Sequence, residues 1–249
     1  MEIIVNALVL KSVDYKDNDK ILTLYSLEKG IITAGIKGVK KSGAKLKFAS
    51  EPFAFCEYVL AQKGDKNTVT GATYIESFYN LRLDMLKYYV SNVILEAVGR
   101  LISEGETDPR LFSLIINSVK AVNYSDDELK TLIFFMLELI SMLGYEIENF
   151  NCASCGDEIF GRVFFASQNA EFYCMPCRTE YAIEITSETH NTMVLLKGKS
   201  LEEIKATPVD KSAQIKVLKF LFYYLKTKTE TELKSTKSLI EFCSMTNQL

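Results

Sequence analysis

Four of the six cysteines fall in one stretch, NCASCGDEIFGRVFFASQNAEFYCMPCRTEY (Asn151–Tyr181), as two C-x-x-C pairs. Cys152 and Cys155 are separated from Cys174 and Cys177 by 18 residues, giving C-x₂-C-x₁₈-C-x₂-C. No other feature of the chain restricts its local fold so strongly. Each C-x-x-C turn aims two sulfurs at one point, and two such turns at the ends of a hairpin complete a tetrahedron. The spacing lies within that of four-cysteine zinc sites. The linker suits a hairpin, because Arg162–Ala166 (RVFFA) and Ala170–Tyr173 (AEFY) can pair as strands. A thioredoxin-like redox pair would need one C-x-x-C opening a helix in a βαβ unit, and that context is missing.

Four sulfurs close the coordination shell, whereas a catalytic zinc keeps a position open and usually recruits His, Asp or Glu. The single histidine, His190, lies thirteen residues past Cys177 in a helical stretch and reads as a surface or satisfied side chain. The expected metal is therefore one structural zinc ion held by Cys152, Cys155, Cys174 and Cys177. No P-loop, G-x-S-x-G, H-E-x-x-H or G-x-G-x-x-G occurs, and no enzyme is expected. Asp14, Asp17 and Asp19 resemble a calcium loop only superficially: lysines interrupt them and no Gly-x₅-Glu follows. Cys56 and Cys243 stand apart and read as buried thiols.

The first 80 residues have strand texture. Ile3–Val9, Ile21–Ser26, Ile31–Ile36, Phe53–Ala61 and Thr68–Glu76 are short runs rich in β-branched and aromatic residues, punctuated by glycines. Glu28-Lys29-Gly30 and Lys63-Gly64-Asp65 read as hairpin turns. Five short strands suit a small closed barrel; an OB-fold and an SH3-like barrel both satisfy the pattern.

After Tyr79 the period becomes helical. Met85–Ile102 carries apolar residues at three- and four-residue steps. Asp108-Pro109 reads as a helix start. Ser125–Glu128 and Ser200–Glu203 read as capping boxes, and Gly144 as a C-terminal stop. Leu129–Leu143, apolar nearly all round, is expected to be a central buried helix. Ser187–Leu196, Ser200–Ala206, Lys211–Lys226 and Glu230–Met245 continue the helical texture, so the cysteine module reads as an insertion in one helical domain. The most apolar run, Leu132–Leu143, is too short to span a membrane and contains Glu138. Glu2 stands where an export signal would carry basic residues, so a reducing cytoplasmic setting is expected.

Charge is unevenly spread. Lys29–Lys47 holds six lysines and no acid, Arg82–Phe150 eleven acids against six bases, and Lys197–Lys237 ten lysines against five acids. The segment AGIKGVKKSGAKLKFA carries Lys37, Lys40, Lys41, Lys45 and Lys47 just after the third expected strand. A flexible lysine loop there could neutralise nucleic-acid phosphates without reading sequence, or simply be solvated. Tyr15, Phe48 and Tyr58 could stack on bases or pack in the core.

Taken together, these segments resemble the RecO family of bacterial recombination mediators over nearly the whole chain. The opening EIIVNALVLKSVDYKDNDKILTLYSLEKGIITAGIKGVKKSGAKLK is similar to its N-terminal OB domain. Lys37-Gly38-x-Lys40-Lys41 matches its basic segment, and ELKSTKSLIEF its terminal helix. The resemblance implies an α+β chain: an OB-fold nucleic-acid-binding domain at 1–80, then a helical domain at 81–249 with the zinc module at 150–181. It further implies binding of single- and double-stranded DNA, annealing of complementary strands, and action with RecR to place RecA on DNA coated by single-stranded-DNA-binding protein, whose acidic C-terminal tail it would contact. A cytoplasmic, nucleoid-associated protein without bond chemistry is implied. By position, Lys37, Lys40, Lys41 and Lys45 would touch phosphates. Lysine stands where many members carry arginine, which lowers the expectation of bidentate phosphate contacts. The tail would find cations and an apolar neighbour on Lys216, Lys219, Phe222 and Lys226, a face that solvent could equally occupy. From the residues alone a second class stays open: a zinc-stapled protein–protein adaptor that binds RNA or no nucleic acid.

Overall fold

The computed structural model describes residues 1–246; residues 247–249, the end of the expected helical domain, lie outside them. Five strands, β1 (Glu2–Tyr15), β2 (Asp19–Ser26), β3 (Gly30–Ile36), β4 (Phe55–Lys63) and β5 (Lys66–Glu76), close into a barrel of order β1-β2-β3-β5-β4. The closing seam is parallel, with Ala34, Gly35 and Ile36 opposite Asn67, Thr68 and Val69. This is the OB arrangement, and it decides between the two barrels the strand pattern allowed. Alternate residues face inward, so Val5, Ala7, Val9, Leu22, Leu24, Ala34, Ile36, Cys56, Tyr58, Leu60 and Val69 fill the core.

β1 is twice as long as its apolar run. It pairs with β4 over Glu2–Leu8 and with β2 over Ala7–Tyr15, and a register shift between Val9 and Lys11 lets it pass from one neighbour to the other. Its polar second half therefore escapes hydropathy patterning but satisfies its backbone against β2.

The chain divides into units at Met1–Tyr124 and from Ser125 onward, later than the change of texture at residue 80. α1 (Met85–Leu101) and α2 (Pro109–Tyr124) belong with the barrel. Phe112 of α2 stacks near Tyr25 and Phe55, with ring centroids 5.9 and 6.0 Å away. Asp108 caps α2 as expected, its Oδ1 accepting from the Arg110 N–H at 2.8 Å.

The second unit contains α3 (Glu128–Met142), the cysteine hairpin, α4 (Ser187–Leu196), α5 (Leu201–Ala206), α6 (Lys211–Thr229) and α7 (Lys234–Thr246). α3 is buried on most sides and ends at Gly144, whose φ of 79° permits the paired bonds Gly144 N–H to Ser141 O and Tyr145 N–H to Ile140 O. The Ser200–Glu203 capping box forms with both reciprocal bonds. The one expected at Ser125 does not. Ser125 Oγ accepts from the Asp127 N–H at 3.2 Å in a local turn, and Asp127 becomes the N-cap of α3.

Gly30 is the glycine most closely approached by other backbone. Its φ is +63°, and a Cβ there would lie 2.2 Å from the Glu106 carbonyl oxygen. Gly30→Ala should destabilise the first unit by at least about 1–3 kcal/mol. Urea unfolding followed by circular dichroism measures this; an unchanged midpoint would refute the packing described.

Candidate metal centre and nucleic-acid interface

The hairpin expected between the cysteine pairs is present. β6 (Val163–Ala166) and β7 (Glu171–Cys174) pair antiparallel, Val163 opposite Cys174 and Ala166 opposite Glu171. A third strand missed in the sequence, β8 (Ile183–Ile185), adds to the other edge of β6. It is three residues long and two of them are exposed, so it has no apolar signature.

The four Sγ atoms of Cys152, Cys155, Cys174 and Cys177 lie within 4.8 Å of one another. Zinc–sulfur bonds of about 2.3 Å place the sulfurs of a tetrahedral site about 3.8 Å apart, so the cluster needs only a small contraction onto an ion. Among the described residues this is the one such group of His, Cys, Asp and Glu ligands. Backbone groups shape it. Cys152 N–H donates to Asp157 O at 2.9 Å, Ala153 N–H to Phe172 O at 2.8 Å, and Gly156 N–H to Cys152 O at 2.8 Å with φ +79° at Gly156. Cys174 N–H points at Cys152 Sγ, 3.5 Å away. Burial pushes the Cys152 thiol up, but backbone N–H groups of Cys155, Cys174 and Ser154 outweigh it and bring the thiol down to about 6. A thiolate favoured in this way is a ready metal ligand. Asp157 also contacts Cys155 through backbone and side chain, an acid at the rim that the spacing argument overlooked.

His190 takes no part. It is buried, its Nε2 lies 2.8 Å from Phe150 O, and its ring stands 4.9 Å from that of Phe172. The inner face of the hairpin packs on α6: Phe165 meets Phe220 at 4.9 Å and Tyr224 at 5.4 Å. Phe164, on the outer face, is covered by Arg162 and Arg178, each guanidinium 5.5 Å from its ring.

The five loop lysines are all exposed, and the loop that carries them is anchored by its apolar residues. Its apolar residues turn inward. Val39 and Ala49 join the barrel core, and Leu46 and Phe48 pack against it, so a short 3₁₀ turn at Lys47–Ser50 plugs one end of the barrel. Gly38 N–H donates to Asp19 Oδ1 at 2.8 Å, and Lys40 N–H to Asn18 O at 3.0 Å, which ties the loop to the β1–β2 turn. The Lys40 ammonium binds Asp14 Oδ2 at 2.6 Å and holds that carboxyl below its usual range. Lys37, Lys41, Lys45 and Lys47 pair with no acid among the described residues. Lys16, Lys37 and Lys41 line an open depression with Asp17, Asn18 and Asp19.

The three aromatic candidates separate. Tyr58 is fully buried and its hydroxyl donates to Ala49 O at 2.7 Å, so it is core. Tyr15 is 47% exposed, with Lys16 Nζ 5.3 Å from its ring. Phe48 is half-buried and lies 4.3 Å from the ring of Tyr74, a residue sequence reading passed over because it sits in an ordinary strand pattern.

On α6, Lys216 pairs with Glu188 and Lys226 with Glu232 at 3.2 Å. Lys219 is exposed and Phe222 half-buried. Leu218, between Lys216 and Lys219, is fully buried and offers nothing to a partner. No helix among the described residues is long and apolar enough to cross a membrane.

Two family models match the chain: recombination protein O N terminal over residues 1–78 and recombination protein O C terminal over residues 82–237. The chain belongs to the recombination protein O family. Curated relatives carry the name DNA repair protein RecO. That of Desulforamulus reducens is 28% identical over 91% of this chain and 91% of its own length, and that of Acetivibrio thermocellus 26% identical over 94% and 96%. That of Desulfitobacterium hafniense is 31% identical over 70% of this chain. The two models meet near residue 80, where the sequence changes texture, although α1 and α2 pack with the barrel.

If the sulfurs bind an ion, cobalt(II) added to the reduced apoprotein should saturate at about one equivalent with the intense absorption of a tetrahedral thiolate site. Cys174→Ser should remove that stoichiometric band and lower the melting temperature of the metal-loaded protein. A fully retained band would refute the assignment.

Proposed function

We propose that the chain is a DNA repair and recombination mediator that acts by binding rather than by bond chemistry. It binds single- and double-stranded DNA, anneals complementary strands and, with RecR, helps load RecA onto DNA coated with single-stranded-DNA-binding protein. The observation that carries this reading is the lysine loop packed onto the barrel, in a chain that belongs to the recombination protein O family along both of its matched segments. Lys37, Lys41, Lys45 and Lys47 offer four exposed ammonium groups with no competing carboxylate partner. Lys40, already held by Asp14, contributes less to DNA and more to the shape of the loop.

One zinc ion on Cys152, Cys155, Cys174 and Cys177 serves as a staple. Four thiolates satisfy its tetrahedral preference, and the hairpin it closes gives Phe165 and Phe172 their position in the second unit. The acidic tail of single-stranded-DNA-binding protein docks on α6, where its carboxylates bind Lys219 and replace those of Glu188 and Glu232 on Lys216 and Lys226, with Phe222 beneath. The setting is cytoplasmic.

Each phosphate contact on a single strand adds about 0.7 to the steepness of log K against log salt. Combining Lys37→Ala, Lys41→Ala and Lys45→Ala should therefore reduce the slope by about 2 and slow annealing of complementary strands. Fluorescence anisotropy over a salt series measures the slope, and strand annealing is followed by energy transfer between labelled oligonucleotides. A triple variant with the parent's slope and annealing rate would refute the loop assignment.

A further inference from the structure

Beside the lysine loop, one aromatic surface is left unexplained by packing. Tyr74, near the end of β5, is 42% exposed. Its ring lies 4.3 Å from that of Phe48 at a tilt of 38°, so the two rings stack and Phe48 backs the exposed Tyr74, an aromatic shelf of two layers. Phe48 follows Lys47 directly, and Lys45 stands two residues before that. Arg82 is exposed, its Nη2 donating to Pro52 O at 2.8 Å, and its charge acts on the Tyr74 phenol. Cations thus accompany both rings: Lys45 and Lys47 precede Phe48 in the chain, and Arg82 acts on Tyr74.

We propose that this shelf stacks unpaired bases, so that a single strand runs from the lysine loop over the shelf to Arg82. The proposal rests on the DNA-binding reading above and adds to it the element that separates single strands from duplex. Three physical arguments support it. A base presents a π-face to an exposed ring, whereas paired bases keep that face inside the stack; aromatic shelves therefore favour single strands. Cations beside the rings suit the phosphates of a strand, while the ring itself offers no charge to a backbone. The Tyr74 hydroxyl also makes no hydrogen bond with any described residue, so no polar contact accounts for the position of the ring. Packing of Phe48 against the barrel core supports the ring behind Tyr74, which lowers the ordering cost of binding.

The chain contains no tryptophan, which makes the test direct. Tyr74→Trp introduces the sole tryptophan, and stacking should quench its emission when oligo(dT) binds but not when duplex of the same length binds. Tyr74→Leu should weaken oligo(dT) binding by roughly 5- to 100-fold, change duplex binding less than about twofold, and leave the salt slope unaltered. Tyr74→Phe should bind like the parent. If the introduced tryptophan is unmoved while oligo(dT) binds with the parent's lysine-dependent salt slope, the shelf faces something other than a base and the proposal fails, with DNA binding intact. Equal weakening of single strand and duplex by Tyr74→Leu also overturns it. If the parent itself binds no oligo(dT), both this proposal and the DNA-binding reading fall. Because the tryptophan variant keeps a large aromatic ring, it remains informative should the leucine variant unfold.

Discussion

One buried hydrogen bond organises the lysine-bearing end of the barrel. The Tyr58 hydroxyl, inside the core, donates to the Ala49 carbonyl of the 3₁₀ plug at 2.7 Å. Burial is the main force keeping this phenol protonated, so it remains a donor across the physiological range. Such a bond is worth only about 1 kcal/mol net, but leaving either partner buried and unsatisfied costs more. The bond pins the plug at Ala49. Val39 is buried, Leu46 and Phe48 are partly buried against the core, and Lys40, Lys41, Lys45 and Lys47 between them are exposed. A segment that composition reads as a loose basic loop becomes a fixed array of charges, which is what an interface requires if binding is not to spend its energy on ordering the loop.

The second unit is organised by the opposite logic. Its hairpin has four-residue strands, too little to hold shape alone, and two agents compensate. On one side the sulfurs converge to within 4.8 Å; on the other Phe165 and Phe172 enter an aromatic cluster with Phe220, Tyr224 and His190. The single histidine is thus a packing residue with its Nε2 committed to a backbone carbonyl, as its isolation from the cysteines suggested. Charges on α6 that sequence reading treated as free cations are partly neutralised by Glu188 and Glu232, distant in sequence or lying beyond the helix end.

How much was legible depended on the range of the interaction. The C-x-x-C pairs, the Ser200–Glu203 capping box, the Asp108 cap and the Gly144 stop are set by neighbours a few residues away, and all were readable. The Ser125 box failed although its motif was correct, because a local turn to Asp127 competed with the cap and won. The second half of β1 and the strand β8 were missed because their pairing is backbone-driven and their side chains are polar or exposed. Of the base-stacking candidates, Tyr58 turned out to be core, and Tyr74 was overlooked: period-two alternation says which face a residue takes, not what covers that face.

By itself, the sequence determined the four-sulfur cluster, the division into a strand-rich and a helix-rich half, the position of the basic segment and the family, because ligand spacing, hydropathy period and charge runs are properties of contiguous chain. Only the tertiary structure decided which barrel forms, through a parallel seam between β3 and β5 that lie some thirty residues apart. It alone decided which lysines keep their charge free, since Asp14 on β1 meets Lys40 of the loop that follows β3. And it alone brought Phe48 against Tyr74, because packing at the end of a closed barrel joins residues that the linear order keeps apart.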